Sequence, residues 1–445
     1  MKRIGAVIAL AAVALLAGKS YADVQNIRLS GDIRVRGYYL NRADAGNVID
    51  DNFISQRTRI TCEADLEDHV LVVVTLKAEG LWGSERGSFD NFNEQTSGAG
   101  QPNGKGNVIN RGFDLGINEA YVQLSEVFYT PATLRLGRQY LNYGRGLILS
   151  SAEGEYNFDA ARLVLDWYPV TVDVVYSRTI EGSVFGSGST GFNANLLFLN
   201  ARYEMTDSLL KDVELYWGYS ASDSAGATLA RVPTTLNGAS PMIIGLRTDL
   251  NLTKGLKSWA EAAFEWGPDG TVANNGISAG LVNVGGNYTL ADVQWSPAVN
   301  FNYTYATGGG DSGKHAFVPW FDYVDGYNGY LLHPLLSNIH IFNLGASVKP
   351  AANTTLALQA YYYLQADKNA QQVSNRNVDF GTAGTTTSGL HKEIGWEIDT
   401  ILGYDYSKDV RCQLVYGVLL PETALRDTSF DAVAHEIRGE LNVKF

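Results

Sequence analysis

The chain has 445 residues and a formal net charge of −13, a balance that disfavours nucleic acid as a partner. Its 25 Tyr and 47 Gly against 3 Met and 2 Cys describe an exported, β-rich chain, since aromatic residues favour strands and Gly serves turns and close backbone approaches. Polar or charged residues interrupt every later apolar run within a few positions, which excludes a helical membrane protein.

Lys2 and Arg3 form a basic start, Ile4 to Ala17 an apolar stretch, and Ser20-Tyr21-Ala22 a small-residue cleavage site. The stretch is shorter than the roughly 20 residues that a spanning helix needs. Residues 1–22 therefore read as a signal peptide cleaved near Ala22, and 23–445 as a single domain with no linker inside it.

A first strand follows at once: Ile27, Leu29, Ile33 and Val35 alternate with Arg28, Ser30, Asp32, Arg34 and Arg36, one face apolar and the other charged. Further strands are predicted at 53–67, 70–83, 114–128, 131–141, 158–168, 170–180, 193–204, 212–222, 239–251, 256–266, 277–290, 294–306, 338–349, 354–367, 390–405 and 409–420. The last sets Ile437, Leu441, Val443 and Phe445 against Glu436, Arg438, Glu440, Asn442 and Lys444. The sum is about eighteen, an even number of the kind bacterial barrels use. Pro297, inside 294–306, predicts a bulge there.

The links sort by length. Short ones fall at 66–69, Tyr129-Thr130-Pro131, Tyr168-Pro169, Lys254-Gly255, Ala291-Asp292, 350–353 and 407–409. Those at 41–52, 84–113, 142–157, 181–192, 223–238, 267–276, 307–337, 368–389 and 421–433 are mostly longer and rich in Gly, Ser, Asn and Asp. An up-and-down membrane barrel has short periplasmic turns and long external loops, so the long links are expected outside and both chain ends on the periplasmic side.

Outward faces such as Val213, Leu215, Trp217 and Tyr219, or Leu356, Leu358, Ala360, Tyr362 and Leu364, have no second sheet or helix to cover them, which leaves lipid. Closure is then required, because an open edge in hydrocarbon leaves N–H and C=O groups unsatisfied at several kcal/mol each. Trp82, Trp167, Trp266, Trp295 and Tyr404 suit interfacial girdles. The expected fold class is all-β: an antiparallel, up-and-down transmembrane barrel in the bacterial outer membrane. Cys62 and Cys412 fall on lipid-facing positions of strands that are not neighbours, and are expected unpaired.

Catalytic signatures are sparse. Gly186, Gly188 and Gly191 spell G-x-G-x-x-G in a Gly/Ser loop, without the following helix that would hold a pyrophosphate. His69, His315, His333, His340, His391 and His435 show no paired metal spacing. His391 near Ser388 is the one casual hydrolase pair. Asp322 and Asp325 offer oxygen ligands for Ca²⁺, but without EF-hand spacing a solvated turn is the plainer reading. Neither an enzyme nor a cofactor is expected.

The lumen face carries the signal. Early strands point in Arg28, Arg34, Arg36, Arg57, Arg59, Lys77, Arg135 and Arg162; closing strands point in Glu393, Glu397, Asp399, Glu436 and Glu440, with Glu261 and Glu265 between. Closing the first strand onto the last should set Arg28, Arg34 and Arg36 beside Glu436 and Glu440, leaving Arg57, Arg59, Arg135 and Arg162 as the unpaired remainder. Guanidinium geometry suits carboxylated or other anionic solutes through bidentate hydrogen bonds. A wall whose charges are merely solvated is the plainer alternative.

Arg57-Thr58-Arg59, Leu81-Trp82-Gly83, Glu119-Ala120-Tyr121-Val122, the run from Leu134 through Gly137-Arg138-Gln139 to Gly144, Phe158-Asp159-Ala160-Ala161-Arg162 and the segment from His391 to Glu397 together resemble the alginate export family of outer-membrane porins. The likeness is strongest over residues 27–180 and returns near 390–445. It implies an eighteen-stranded monomeric barrel whose arginine-lined pore passes an anionic polysaccharide, with Arg57, Arg59, Arg135, Arg138 and Arg162 at the matching positions. One departure is that the inward acids here are at least as numerous as the inward bases. The expected partners are outer-membrane lipid, an anionic oligosaccharide or other small hydrophilic solute, and the barrel-assembly machinery reading the C-terminal strand. A membrane-embedded hydrolase and a structural or adhesive barrel acting through its loops are the alternatives.

Overall fold

The computed structural model describes residues 25–41, 51–66, 69–82, 113–151, 157–180, 194–205, 209–222, 240–268, 276–309, 316–318, 320–321, 328–369, 391–426 and 432–445. The signal segment, Gly186 to Gly191, Asp322, Asp325 and Ser388 lie outside them.

Period-two alternation becomes strand in every predicted segment. In chain order the strands are β1 (Asn26–Asn41), β2 (Asp51–Asp65), β3 (Val70–Leu81), β4 (Asp114–Leu124), β5 (Ala132–Gln139), the short β6 (Asn142–Tyr143) and β7 (Leu149–Ser150), β8 (Phe158–Trp167), β9 (Val170–Ile180) and β10 (Ala194–Glu204). There follow β11 (Leu210–Ser222), β12 (Met242–Thr253), β13 (Leu256–Pro268), β14 (Gly276–Thr289), β15 (Ala298–Ala306), β16 (Ile339–Ala351), β17 (Thr354–Gln365), β18 (Glu393–Asp405), β19 (Val410–Pro421) and β20 (Ala434–Lys444).

All but β6 and β7 form one 18-stranded antiparallel sheet in which each strand pairs with its neighbours in sequence, β5 with β8, and β20 with β1. The ring is closed, as hydrocarbon surroundings demand. Closure is continued past the last strand by Phe445, whose N–H donates to Gly31 O at 3.0 Å and whose carbonyl accepts from Gly31 N at 2.8 Å. The prolyl position expected to bulge a strand instead precedes one: β15 starts at Ala298, and Pro297 uses its carbonyl to accept from Leu290 N at 2.9 Å.

The outer face presents the apolar phase, including Leu215, Leu246, Leu344 and Leu358, each about half exposed. Trp82, Trp167, Trp295 and Tyr404 are exposed near strand ends, where an interfacial belt would lie. Cys62 and Cys412 are both free.

The short links all fall on one rim and the long ones on the other, as the loop lengths predict. One expectation about the long links fails. Residues 141–151 and 328–338 do not stand outside but turn back into the ring. There Leu141, Leu147, Leu149, Leu331 and Leu336, with Phe317 and Trp320, are essentially fully buried against wall residues such as Phe198, Tyr216, Ile243, Tyr361 and Tyr363. Tyr143 meets Phe198 at 4.9 Å between ring centroids, and Phe198 meets Tyr216 at 5.8 Å. The cause is visible in the strand sequences: near the long-loop rim the inward phase is itself apolar. Burying each large apolar side chain is worth roughly 1.5–3 kcal/mol, so these segments complete a core instead of facing water.

Candidate functional site

The lumen has two zones. Toward the long-loop rim it holds the apolar core; toward the short-turn rim its wall is polar.

At their border, wall carboxylates hold the inward segments. Glu214 on β11 accepts from Gly144 N at 2.9 Å, and Glu261 on β13 accepts from Arg145 N and Tyr216 OH, each at 2.8 Å. Glu265 accepts from Val318 N at 2.6 Å and Trp320 Nε1 at 3.2 Å. Glu397 on β18 accepts from three consecutive amides, Tyr330 N at 2.6 Å, Leu331 N at 2.8 Å and Leu332 N at 2.9 Å, and from Tyr363 OH at 3.0 Å. A buried carboxylate needs such donors, and the segments supply them from backbone that has no sheet partner. Glu261, Glu265 and Glu397 thus point inward, against the core segments instead of along open water.

Strands β1–β5 and β8 build a basic arc. Arg28 lies at the short-turn mouth, with Glu63 at 2.9 Å and Asp65 at 2.8 Å. Arg34 has Glu79 at 3.7 Å, and Arg36 is paired with Glu440 across the closing seam. The register sets Arg36 opposite Glu440 and Tyr38 opposite Arg438. Glu436 is fully buried, 3.2 Å from Arg438 Nε, and the Arg438 guanidinium stands 4.6 Å over the Tyr330 ring.

Three members of the expected unpaired set have ionic partners. Asp32 sits between Arg57, at 3.3 Å, and Arg59, at 2.5 Å, while Arg162 is paired with Asp173 on β9 and lies over the Tyr143 ring. Alternation alone puts Asp32 on the inward face, and the β1–β2 register, which sets it directly opposite Arg59, makes it the counter-charge. Arg135 alone of the four meets neutral groups: Gln123 Oε1 at 2.7 Å and the Tyr121 ring at 4.4 Å. The arc and its borders carry eight inward cations (Arg28, Arg34, Arg36, Arg57, Arg59, Lys77, Arg135, Arg162) and eight inward acids (Asp32, Glu63, Asp65, Glu79, Glu119, Asp166, Asp173, Glu440), so Arg135 stands out for its neutral partners and not for a surplus of positive charge around it.

Two expected lumen residues are elsewhere. Arg138 faces outward near the long-loop rim, on the face of Leu134 and Leu136, and forks onto Asp159 with both contacts at 2.8 Å. The resemblance, not the alternation, is what assigns it to the pore. Glu393 is displaced by a register shift: Tyr363 pairs with Gly395 but Leu364 with Glu393, so one extra residue, Ile394, turns inward into the core. Glu393 is left at the rim, accepting from Thr423 Oγ1 at 3.2 Å. A one-residue slip flips every side chain beyond it.

Sequence reasoning missed an acidic-basic cluster on β10–β12, where Arg247 contacts Glu214 at 3.1 Å and Asp249 at 2.6 Å, and Arg202 contacts Asp212 at 2.8 Å. It also missed a neutral amide row on β14–β17. The signal was present in both: Asn300, Asn302 and Thr304 alternate with Val299, Phe301 and Tyr303, as Arg202, Asp212, Glu214 and Arg247 do with apolar neighbours. Among the described residues no group of His, Cys, Asp and Glu is placed to hold a metal ion.

A family model described as alginate export matches residues 25–438. No curated protein is recognisably similar to the chain. Among solved structures, OccK8 (OprE) of Pseudomonas aeruginosa is similar at a TM-score of 0.58 and 10% identity, over 95% of this chain and 98% of that one. OprD from the same organism gives 0.57 and 11% over 96% and 97%, and its OpdK, solved with vanillate, 0.55 and 11% over 94% and 98%. At such identities the likeness concerns the fold, an outer-membrane porin barrel.

Proposed function

The chain belongs to the alginate export family, and on that premise we propose that it is a passive outer-membrane channel whose basic arc draws in anionic hydrophilic solutes, acidic oligosaccharides among them. The observation that carries this reading is the Arg135 guanidinium, held over Tyr121 by Gln123 with no carboxylate within ion-pair distance among the described residues, in an arc whose other arginines have ionic partners. Its partners fix its plane, and a transiting carboxylate can exchange for the neutral Gln123 oxygen and gain a charge-assisted, bidentate contact. Neighbouring cations such as Arg57 and Arg59 are already matched by Asp32 and so do not trap the solute. In a narrow aqueous channel these fields are screened less than at an open surface, where the Debye length is about 8 Å at physiological salt.

In this reading the short-turn rim is periplasmic, the barrel acts as a monomer, and β20 with Phe445 presents the insertion signal to the assembly machinery. No chemical step is involved. The apolar core across the long-loop half favours a second reading, a barrel held shut, and conductance separates the two.

The test is the reversal potential of single barrels under a salt gradient. Arg135→Gln should lower anion-over-cation permeability and weaken block by uronate oligomers, while Arg138→Gln, on the outer face, should leave both unchanged. Equal reversal potentials for wild type and Arg135→Gln, with both folded, remove the arginine arc from the mechanism; absence of any current removes the channel.

A further inference from the structure

Opposite the basic arc the wall changes chemistry. The ring has 18 strands, so the strand facing β5 is half of 18, or nine, places round, which is β16. Here β14–β17 turn in carboxamides instead of charges. Asn283 Nδ2 donates to Asn302 Oδ1 at 2.9 Å and to Thr304 Oγ1 at 2.8 Å; Asn300 Nδ2 donates to Asn343 Oδ1 at 2.9 Å and to Gln359 Oε1 at 3.1 Å. Gln359 Nε2 returns a bond to Asn300 Oδ1 at 3.1 Å, and Asn343 Nδ2 gives a second to Gln359 Oε1 at 3.0 Å. Gly345 makes room for this ladder, since a Cβ there would overlap both Gln359 Oε1 and Asn300 Oδ1.

The ladder forms one side of a cleft of about 250 Å³ in which no lining residue is charged. Trp259 and Tyr330 bound it, with Asn287, Asn300, Gln359 and Tyr361. Trp259 is fixed by its Nε1 donating to Asn283 Oδ1 at 2.9 Å and by the Arg145 guanidinium 3.9 Å over its ring, and Tyr330 is backed by Arg438.

Counting the ladder's bonds shows what it leaves open. An amide has two N–H donors and two lone pairs on its oxygen. Asn300 uses both donors and one lone pair; Gln359 uses both lone pairs and one donor. One acceptor on Asn300 and one donor on Gln359 remain, on side chains already bonded to each other. Two adjacent hydroxyls match this pair, one donating and its neighbour accepting. An anion does not, because it offers no donor to Asn300.

We propose that this cleft is a saccharide site: it takes the uncharged, vicinal-diol edge of one sugar ring, with a hydroxyl donating to Asn300 Oδ1, the adjacent oxygen accepting from Gln359 Nε2, and Trp259 and Tyr330 as aromatic sides. Neutral amides compete with water for the same hydroxyls, so binding is weak enough to release, as conduction through a site requires. The site does not depend on the basic arc.

The test is saturation-transfer NMR on the full chain in detergent with maltotriose as neutral probe, a readout that needs no current. Wild type should bind it, permethylated maltotriose should not, and Gln359→Ala, still heat-modifiable on SDS gels, should bind about tenfold more weakly, the equivalent of about 1.4 kcal/mol. Absence of maltotriose binding by folded wild type, or equal binding of the permethylated sugar, overturns the proposal without any variant. Equal binding by folded Gln359→Ala overturns it as well. A barrel that binds maltotriose but shows no anion preference loses the arginine reading and keeps this one.

Discussion

Glu397 shows how a single carboxylate ties the two zones of the lumen together. Its oxygens take three successive backbone N–H groups of the segment 328–338, a segment otherwise held by Leu331, Leu335 and Leu336. Hydrogen bonds to a charged group contribute about 1.5–3 kcal/mol each, and a buried donor left unmatched costs a similar amount. Glu397→Gln keeps the shape but turns an NH₂ toward donors. Single-channel traces of that variant should therefore show more frequent and larger open excursions, with the heat-modifiable form intact; traces like wild type would mean that apolar packing alone holds the segment. The acid itself was legible in the sequence, because alternation with Trp396 and Ile398 puts Glu397 and Asp399 inward. What covers it was not, since nothing local in 328–338 says that this loop returns to the wall. Arg138 and Glu393 mark the same limit differently. The first follows its strand's phase outward to Asp159, and the second is turned by one extra residue that no side-chain pattern announces.

At the scale of the strand, sequence and structure agree closely, because the physics is local. Lipid on one face and water on the other impose period two on every spanning segment, so all 18 barrel strands were readable, and loop lengths gave their direction. The differences sit at ends: β4 stops at Leu124 before a short turn of 3₁₀ helix over Val127–Tyr129, and β15 starts after Pro297. Closure rests on β20, which pairs with β19 along one edge and β1 along the other. Removing residues 437–445 opens both ladders and strands the amides of β1 and β19 in hydrocarbon, at several kcal/mol per unsatisfied group. That truncation should lose the SDS-resistant, heat-modifiable form altogether. A normally shifting band from it would mean that another strand closes the ring.

The whole molecule is a ring in lipid with a second, smaller core inside its long-loop half, and the two are joined by side-chain packing and single hydrogen bonds instead of ladders, so they can be separated by experiment. Ring strands are fastened by continuous ladders, whereas 141–151 and 328–338 are fastened by leucines, by four wall carboxylates (Glu214, Glu261, Glu265 and Glu397, the third through Val318 and Trp320) and by Ser150 N donating to Phe321 O at 2.8 Å. Elements with fewer fastenings open at lower free energy than the global fold. Epitope insertions test this arrangement together with the topology. A tag within 84–113 should be reached by antibody on intact cells, and one at Lys254-Gly255 should not. A tag within 328–338 separates the alternation-based expectation, which left the whole of 307–337 outside, from the observed core. It should displace Leu331, Leu335 and Leu336, raise single-channel conductance and leave the ring heat-modifiable, because the ladders on either side do not depend on it. An insertion there that is surface-accessible with conductance unchanged would place the segment outside the barrel and the lumen open along its full length.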